Sequence, residues 1–471
     1  MKLLKYTFVK NLSIVFLANF ISLIGSALLT LVLPKFIGVS QYAYYQLYVF
    51  YASYVGFLGI GWIEGIYLRY GGEYYNKLDK RLLSTQLKLF SLFEATVSIV
   101  VILFTLFYLP GTDKSIVYFS LGLCIIIYLP RALLHNLLQT TGRIKEYATG
   151  VLIEKLIHIS ITTLGILLGK GNFIWYISSE LFGRFCSTLY IFYICKDILL
   201  AKPFSFRKVK FEIKDNVSCG LALMISNVAS MLIIGVMRQA IEICWDVETF
   251  GKISLTLSIS NLLLTFINSV ALVMFPMLKR SNKEDLADIY EDTRIVLMVP
   301  ILFSLCLYYP VKIILSAWLP QYAESLKYMA ILFPMCVFES KMSLLINTFM
   351  KTLRKEKILL IINTGIVSAS FIVAIVVCNI IHSLDLAIMF IVILLSARCF
   401  ASEIVLQRYI GINIRKDIIF ELILTIVFIV SSWFVGGVFG VIIYVITYIV
   451  YVMLKKNDIL KILSKVYRKG F

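Results

Sequence analysis

The sequence predicts an all-α, multi-pass membrane protein, and three observations carry that reading. Its 471 residues are 60% hydrophobic and only 15% charged, where soluble domains average about 25% charged. Mean hydropathy is +0.90. Apolar runs of spanning length recur along the whole chain, and lysine and arginine gather in alternate loops between them.

The opening MKLLKYTFVK has the basic flank of a signal peptide. The apolar run behind it, 12–33, is ~20 residues long, and no A-x-A-like cleavage site follows. It reads as an uncleaved first span. Further runs follow at 42–63, 84–108, 116–138, 147–168, 173–194, 216–237, 250–275, 294–316, 326–349, 358–380, 384–406, 416–434 and 437–454, about fourteen in all. The last two are short and meet at Gly436-Gly437, so they also read as one helical hairpin. The N-terminus, the C-terminus and the loops after even-numbered spans hold most of the basic residues. The other loops hold only Lys35, Lys114, Lys170 and Arg238. A wrong parse would scramble that alternation, and the positive-inside rule puts both termini in the cytoplasm. The net charge of +18 is thus a topology signal and a grip on anionic lipid, with no nucleic-acid partner.

Loops are short, and neither the basic segment 196–215 nor 278–294 has room for a soluble domain. The expected layout is a six-helix bundle over 1–195, a basic cytoplasmic linker over 196–215, and a second bundle over 216–407. A helix pair with a basic tail follows over 408–471. The two halves open alike: SQYAYYQLYVF (40–50) parallels VETFGKISLTL (247–257), and KLDKR (77–81) parallels KRSNK (279–283). Repeated bundles are a common build of secondary transporters. Nine cysteines are scattered singly without C-x-x-C, and the three histidines are dispersed, so no metal site or disulfide framework is expected. GILLGKG (165–171) lacks phosphate-loop spacing, and no cofactor is implied.

Charge inside the apolar runs is the main functional signal, because intramembrane ionisable groups are costly and usually face a polar path. LPRALLHNLL (129–138) carries Arg131 and His135 four apart, on a face with Cys124, Tyr128 and Gln139, and Pro130 invites a kink. Arg131 lies about 12 Å from Gln139 along a helix axis, so snorkelling to the surface competes with a cavity role. The fifth span has Glu154 and His158 on one face, running on to Thr162, with Lys155 beside them. The sixth pairs Glu180 with Arg184, which also reads as a self-neutralising pair that eases insertion. Glu339 and Lys341 lie two apart in the tenth span, on different faces. Arg398, with Ser402 and Glu403 near it, matches Arg184 across the halves. Small polar stripes (Ser254, Ser258, Asn261, Thr265, Asn268; Asn19, Ser22, Ser26, Thr30) read as cavity lining or as helix–helix glue. Tyr44, Tyr48 and Tyr51 read as an interfacial belt or as sugar-stacking rings.

LPKFIGVSQYAYYQLYVFYASYVGFLGIGWIEGIYLRYGGEY (33–74) resembles the opening of bacterial polysaccharide (O-antigen) repeat-unit flippases, the Wzx-type branch of the multidrug/oligosaccharidyl-lipid/polysaccharide exporter superfamily. Ile37-Gly38 fills the expected turn, and Ala43 stands where glycine is usual. VALVMFPMLKR (270–280) resembles the family's Phe-Pro end of the eighth span. An acidic residue usual near the end of the seventh span is absent from MLIIGVMRQ (231–239). The resemblance implies two pseudo-symmetric six-helix bundles around a central cavity plus a C-terminal helix pair. It implies a flippase, not an enzyme, in the bacterial cytoplasmic membrane, a job for which a monomer would suffice. The implied cargo is an undecaprenyl-diphosphate-linked oligosaccharide, with membrane lipids and polysaccharide-polymerising machinery as partners.

For such cargo the candidate binding residues are Arg131, His135, Lys155, Arg184, Lys341 and Arg398, since cations, arginine forks above all, suit a diphosphate. Glu154, Glu180 and Glu339 would orient them or carry coupling protons. Three rivals are weighed. A drug or cation exporter of the same superfamily would hold uncompensated carboxylates. A membrane polysaccharide polymerase would need a large outer loop. A lipid II flippase would differ only in its glycan.

Overall fold

A computed structural model describes the backbone of residues 20–204, 206–279 and 286–469. Side chains at 206–208, 263, 265–279 and 463–469 are not described. The expected start of the first span with Asn19, the stripe residues Thr265 and Asn268, and all of VALVMFPMLKR therefore lie outside the described side chains. Helices and their connections make up the fold, with no strand among the described residues. Among the described residues, ten helices are long and apolar enough to cross a membrane, or eleven if one bent pair is a single span. The exact count of fourteen is not confirmed on length and composition among these residues. Phe173–Ile194 and Val247–Lys279 are helical over two of the expected spans but are not among the ten.

The chain forms two compact units, Met1–Val228 and Ala229–Phe471. In the first, α1 is Phe20–Phe36 and α2 is Val39–Tyr54, which tightens into a 3-10 segment, Val55–Gly59. The span then breaks, and α3 (Trp62–Arg69) leaves at 61°. The cause lies in GIG (59–61): Ile60 and Gly61 take positive φ of 48° and 75°, a conformation that ends a right-handed helix. After it come α4 (Lys80–Tyr108), α5 (Asp113–Thr140), α6 (Ile144–Leu167), α7 (Phe173–Ile194) and the short α8 (Lys196–Leu199). Asp79, Thr112 and Asn172 cap α4, α5 and α7 with their side chains.

The basic segment 196–215 holds α8 and, from Phe206, the first turns of α9 (Phe206–Cys244), which runs from the first unit into the second. Its early part packs on α3 backbone to backbone. A Cβ on Gly65 would lie 1.9 Å from the Asn216 carbonyl oxygen, and one on Gly220 would lie 1.9 Å from that of Gly61. Small residues permit such an approach. Polar side chains fasten it: Trp62 Nε1 and Asn216 Nδ2 both donate to Gln86 Oε1, at 3.0 and 2.7 Å. Arg69 donates to Asn216 Oδ1 at 2.9 Å and pairs with Glu212 at 2.7 Å.

Helices α6 and α7 meet by the same device. A Cβ on Gly183 would lie 2.7 Å from the Glu154 carbonyl oxygen, and Ser187 Oγ donates to the Gly150 carbonyl at 2.7 Å. This closeness brings the charged face of α6 onto that of α7.

The second unit takes in the rest of α9, α10 (Val247–Lys279), α11 (Leu286–Trp318), α12 (Met329–Thr352) and α13 (Glu356–Ile381). It continues with α14 (Leu384–Ile410), α15 (Arg415–Val435), α16 (Gly437–Leu454) and α17 (Lys456–Lys469). Helix α12 is its axis. Met329 to Phe338 is buried throughout, and a π-turn at Lys341–Ile346 sits in its middle, a distortion frequent at functional positions.

Candidate functional site

In the first unit, Arg131, Glu154, Glu180 and Arg184 come together from α5, α6 and α7. Arg131 Nη1 donates to Glu154 Oε2 at 2.5 Å. Arg184 Nη2 donates to Glu180 Oε1 at 2.5 Å, its Nη1 donates to Cys124 Sγ at 2.7 Å, and its Nε lies 3.7 Å from Glu154 Oε1. Glu154 thus stands between two guanidiniums. The Tyr128 ring lies near both, with centroids 5.4 Å from Arg131 and 5.2 Å from Arg184, at cation–π distance. The i,i+4 spacing of Glu180 and Arg184 made their pair readable. The crossing to Glu154 was not, because it depends on how α6 and α7 pack.

The cluster carries more positive than negative charge. Lys155 acts electrostatically on Glu154, so three cations face two carboxylates. The Nε atoms of Arg131 and Arg184 have no hydrogen-bond partner. Burial strengthens any further bond to an anion here, as the effective dielectric is well below that of water. Of the two histidines, His135 stacks on Tyr147 at 4.1 Å and its Nε2 donates to the Tyr147 carbonyl at 2.9 Å. His158 is buried with Nε2 unpartnered.

The second unit repeats the theme with a different balance. Arg398, from α14, donates through Nη1 to Glu339 of α12 at 2.9 Å. Its Nε donates to Asn363 of α13 at 3.0 Å, and its Nη2 to Ser230 of α9 at 2.8 Å. Like Arg184, Arg398 sits in a polar cluster between helices, here drawn from four of them, α9, α12, α13 and α14. Unlike Arg184, all three nitrogens of Arg398 are engaged.

Lys341, a candidate ligand-binding cation from the sequence, is fully buried and points away from Glu339, as their two-residue spacing requires. It pairs with Glu403 and, at 2.6 Å, with Glu421. Arg294 joins the same carboxylates, 2.9 Å from Glu403 and 2.6 Å from Glu421, and reaches Asp417 at 3.2 Å. Lys455 closes the chain on Asp417 at 2.6 Å. Lys455 also holds Asp458 at 2.9 Å, so three cations meet four acids in a closed network that ties α15 and the end of α16 to α11, α12 and α14.

Arg294, Asp417, Glu421 and Lys455 were not legible as a site. Arg294 fell at the edge of an expected loop, whereas α11 begins at Leu286 and encloses it. A signal was there: Asp417 and Glu421 are like charges four apart, a spacing that is unfavourable without cations. Among the described residues no group of three or more His, Cys, Asp or Glu is placed to hold a metal.

No protein-family model matches this chain, and no curated protein sequence does. Solved structures are similar to it. The lipid II flippase MurJ, in its inward closed conformation, is similar at a TM-score of 0.64 and 15% identity, over 96% of this chain and all of that one. An inward-facing MATE multidrug resistance transporter of the MOP superfamily is similar at 0.61 and 12% identity, over 82% of this chain and 94% of that one. MATE in complex with MaL6 is similar at 0.54 and 12% identity, over 84% of this chain and 94% of that one. The fold is that of MOP-superfamily transporters, and the chain is a multi-pass membrane protein.

Proposed function

We propose that this protein translocates undecaprenyl-diphosphate-linked oligosaccharide repeat units across the bacterial cytoplasmic membrane by alternating access, for surface polysaccharide synthesis. The observation that carries the reading is the cationic excess at Arg131, Arg184 and Lys155 over Glu154 and Glu180. Two guanidiniums that share one carboxylate can exchange it for diphosphate oxygens, since a planar fork binds either anion in the same geometry. Their Nε donors, which make no hydrogen bond, and the Tyr128 face add contacts for a phosphate and a sugar. Similarity to a flippase whose cargo is lipid II supports a lipid-linked substrate. In this reading Arg398 and Glu339 form the second unit's counterpart, His135 lies at the edge of the first cluster, and Lys341 braces the second bundle. Both termini are cytoplasmic, and the 196–215 segment joins the two bundles.

The second reading, a multidrug or cation exporter of the same superfamily, has its own support. MATE transporters share the fold, and Glu94 is a buried carboxylate with no compensating cation among the described residues.

Sidedness separates the two. After depletion of the protein, lipid-linked saccharides are labelled and an impermeant glycosidase is added to spheroplasts. The flippase reading expects accumulated saccharide that the enzyme cannot reach. No accumulation at all would favour the exporter, and accumulated but accessible saccharide would mean that a later step such as polymerisation is lost.

A further inference from the structure

Glu94 lies inside α4, a helix apolar enough to span the membrane. It belongs to the helix's buried stripe with Phe90, Ser98 and Thr105 and has no exposed surface. Neither carboxylate oxygen has a hydrogen-bond partner. The elements packed against α4 include α5, α8, the 3-10 segment Val55–Gly59 and, through Trp62 and Asn216, α3 and α9. On α3, Arg69 is held by Glu212 and Asn216, and Glu64 is a half-buried acid with Oε2 unpartnered; the groups facing α4 from α5 and α8 are engaged elsewhere. Arg131 is held by Glu154 and Cys124 by Arg184, while Tyr128 lies against both arginines. Tyr118 donates to Tyr51, His135 to the Tyr147 carbonyl, and Asp197 is held by Tyr75 and Lys80. Val55–Gly59 carries no titratable side chain, and Lys88, on α4 itself, is exposed. No charged group acts on Glu94 among the described residues.

An isolated carboxylate in such surroundings carries a large desolvation penalty, which the group avoids by taking a proton. By contrast, Glu154 and Glu180 are each paired with an arginine, so a proton arriving at either would compete with an ion pair. We propose that Glu94 is a proton-binding site of the first unit, and that its carboxyl loads and releases one proton as the protein transports. The transport half of this proposal rests on the function proposed above. The proton-binding half does not. The balance is simple: one proton joins a carboxylate oxygen and later leaves it to water, with no other bond changed.

The test uses the full chain in nanodiscs, as wild type, Glu94→Gln and Glu94→Asp. Infrared spectra without cargo are recorded from about pH 5 to about pH 9, a range that covers carboxyls displaced by burial. The wild type is expected to show a protonated-carboxyl band that fades across the range, is lost in Glu94→Gln and persists, shifted, in Glu94→Asp. Absence of that band from the wild-type minus Glu94→Gln difference, or a band that ignores pH, overturns the proposal.

Coupling is then read in proteoliposomes containing undecaprenyl diphosphate, with a trapped pH-sensitive dye and an imposed pH gradient. Proton movement is expected to be lost in Glu94→Gln and retained in Glu94→Asp. Undiminished proton movement in Glu94→Gln overturns the coupling role. If undecaprenyl diphosphate stays on one leaflet with wild-type protein, the flippase reading fails while the infrared result stands by itself.

Discussion

Glu154 of α6 accepts from Arg131 at 2.5 Å and lies 3.7 Å from Arg184, so one carboxylate serves two guanidiniums from the helices on either side. That relationship makes the first unit's cluster a place where an anion can be exchanged. It also makes Glu154 the residue whose loss exposes both arginines at once.

Glu154→Gln is therefore expected to destabilise the first unit by about 3–5 kcal/mol, the usual effect of removing one partner from a buried ion pair. Denaturant titration of the reconstituted protein measures it. A double-mutant cycle with Arg131→Met should return a coupling energy of roughly 0.5–3 kcal/mol. Additive losses would mean that the pair is not formed in the membrane.

Arg184→Lys keeps the charge but loses the fork that reaches Glu180, Cys124 and Glu154 together. Protected lipid-linked saccharide should accumulate in cells carrying it, with apparent affinity for undecaprenyl diphosphate lowered by roughly tenfold, about 1.4 kcal/mol. Wild-type affinity in Arg184→Lys would remove this arginine from the binding site.

Lys341→Met should behave differently, because Lys341 sits in a closed, ion-paired network with Glu403 and Glu421. It leaves two acids facing Arg294 alone, and about 3–5 kcal/mol of stability should go with it. The expected phenotype is less folded protein with near-normal transport per molecule, read by quantifying folded protein beside the sidedness assay. Full abundance with lost transport would return Lys341 to the cargo path.

At the membrane edge, Asp197 responds to acid. Burial raises its carboxyl, but hydrogen bonds from Tyr75 and Lys80 outweigh burial and hold it below the usual carboxylate value. A folded value below the unfolded one means the contribution is present above about pH 4 and is lost as pH falls through the folded value. The side chain is 44% exposed, so the effect should be small, about 0–1 kcal/mol. Unfolding of Asp197→Asn against wild type at neutral and at acid pH measures it: the two should differ at neutral pH and converge in acid.

Gly65→Ala tests the α3–α9 contact, since its new Cβ would sit 1.9 Å from the Asn216 carbonyl oxygen. Gly38→Ala is the control, with open space around it and a φ of −62° that alanine accepts. The first is expected to lower the midpoint of thermal unfolding strongly, and the second to leave stability within about 0.5 kcal/mol of wild type.

Much of the architecture was readable without coordinates. Apolar runs long enough to span, bounded by basic loops, leave helices as the economical solution, because backbone groups in hydrocarbon must be satisfied within the segment. Helical spacing likewise placed Glu180 beside Arg184, put Glu154 and His158 on one face, and separated Glu339 from Lys341. Periodicity assigns a residue to a face of its own helix, but it is silent about which helix that face meets. That is why Glu154 bridging two arginines, Arg294 and Glu421 closing around Lys341, and Asn363 beneath Arg398 came only from packing. Glu94 shows the same limit from the other side: in sequence it is one acid in an apolar run. Only the tertiary arrangement, which engages every nearby cation elsewhere, decided that it stands alone.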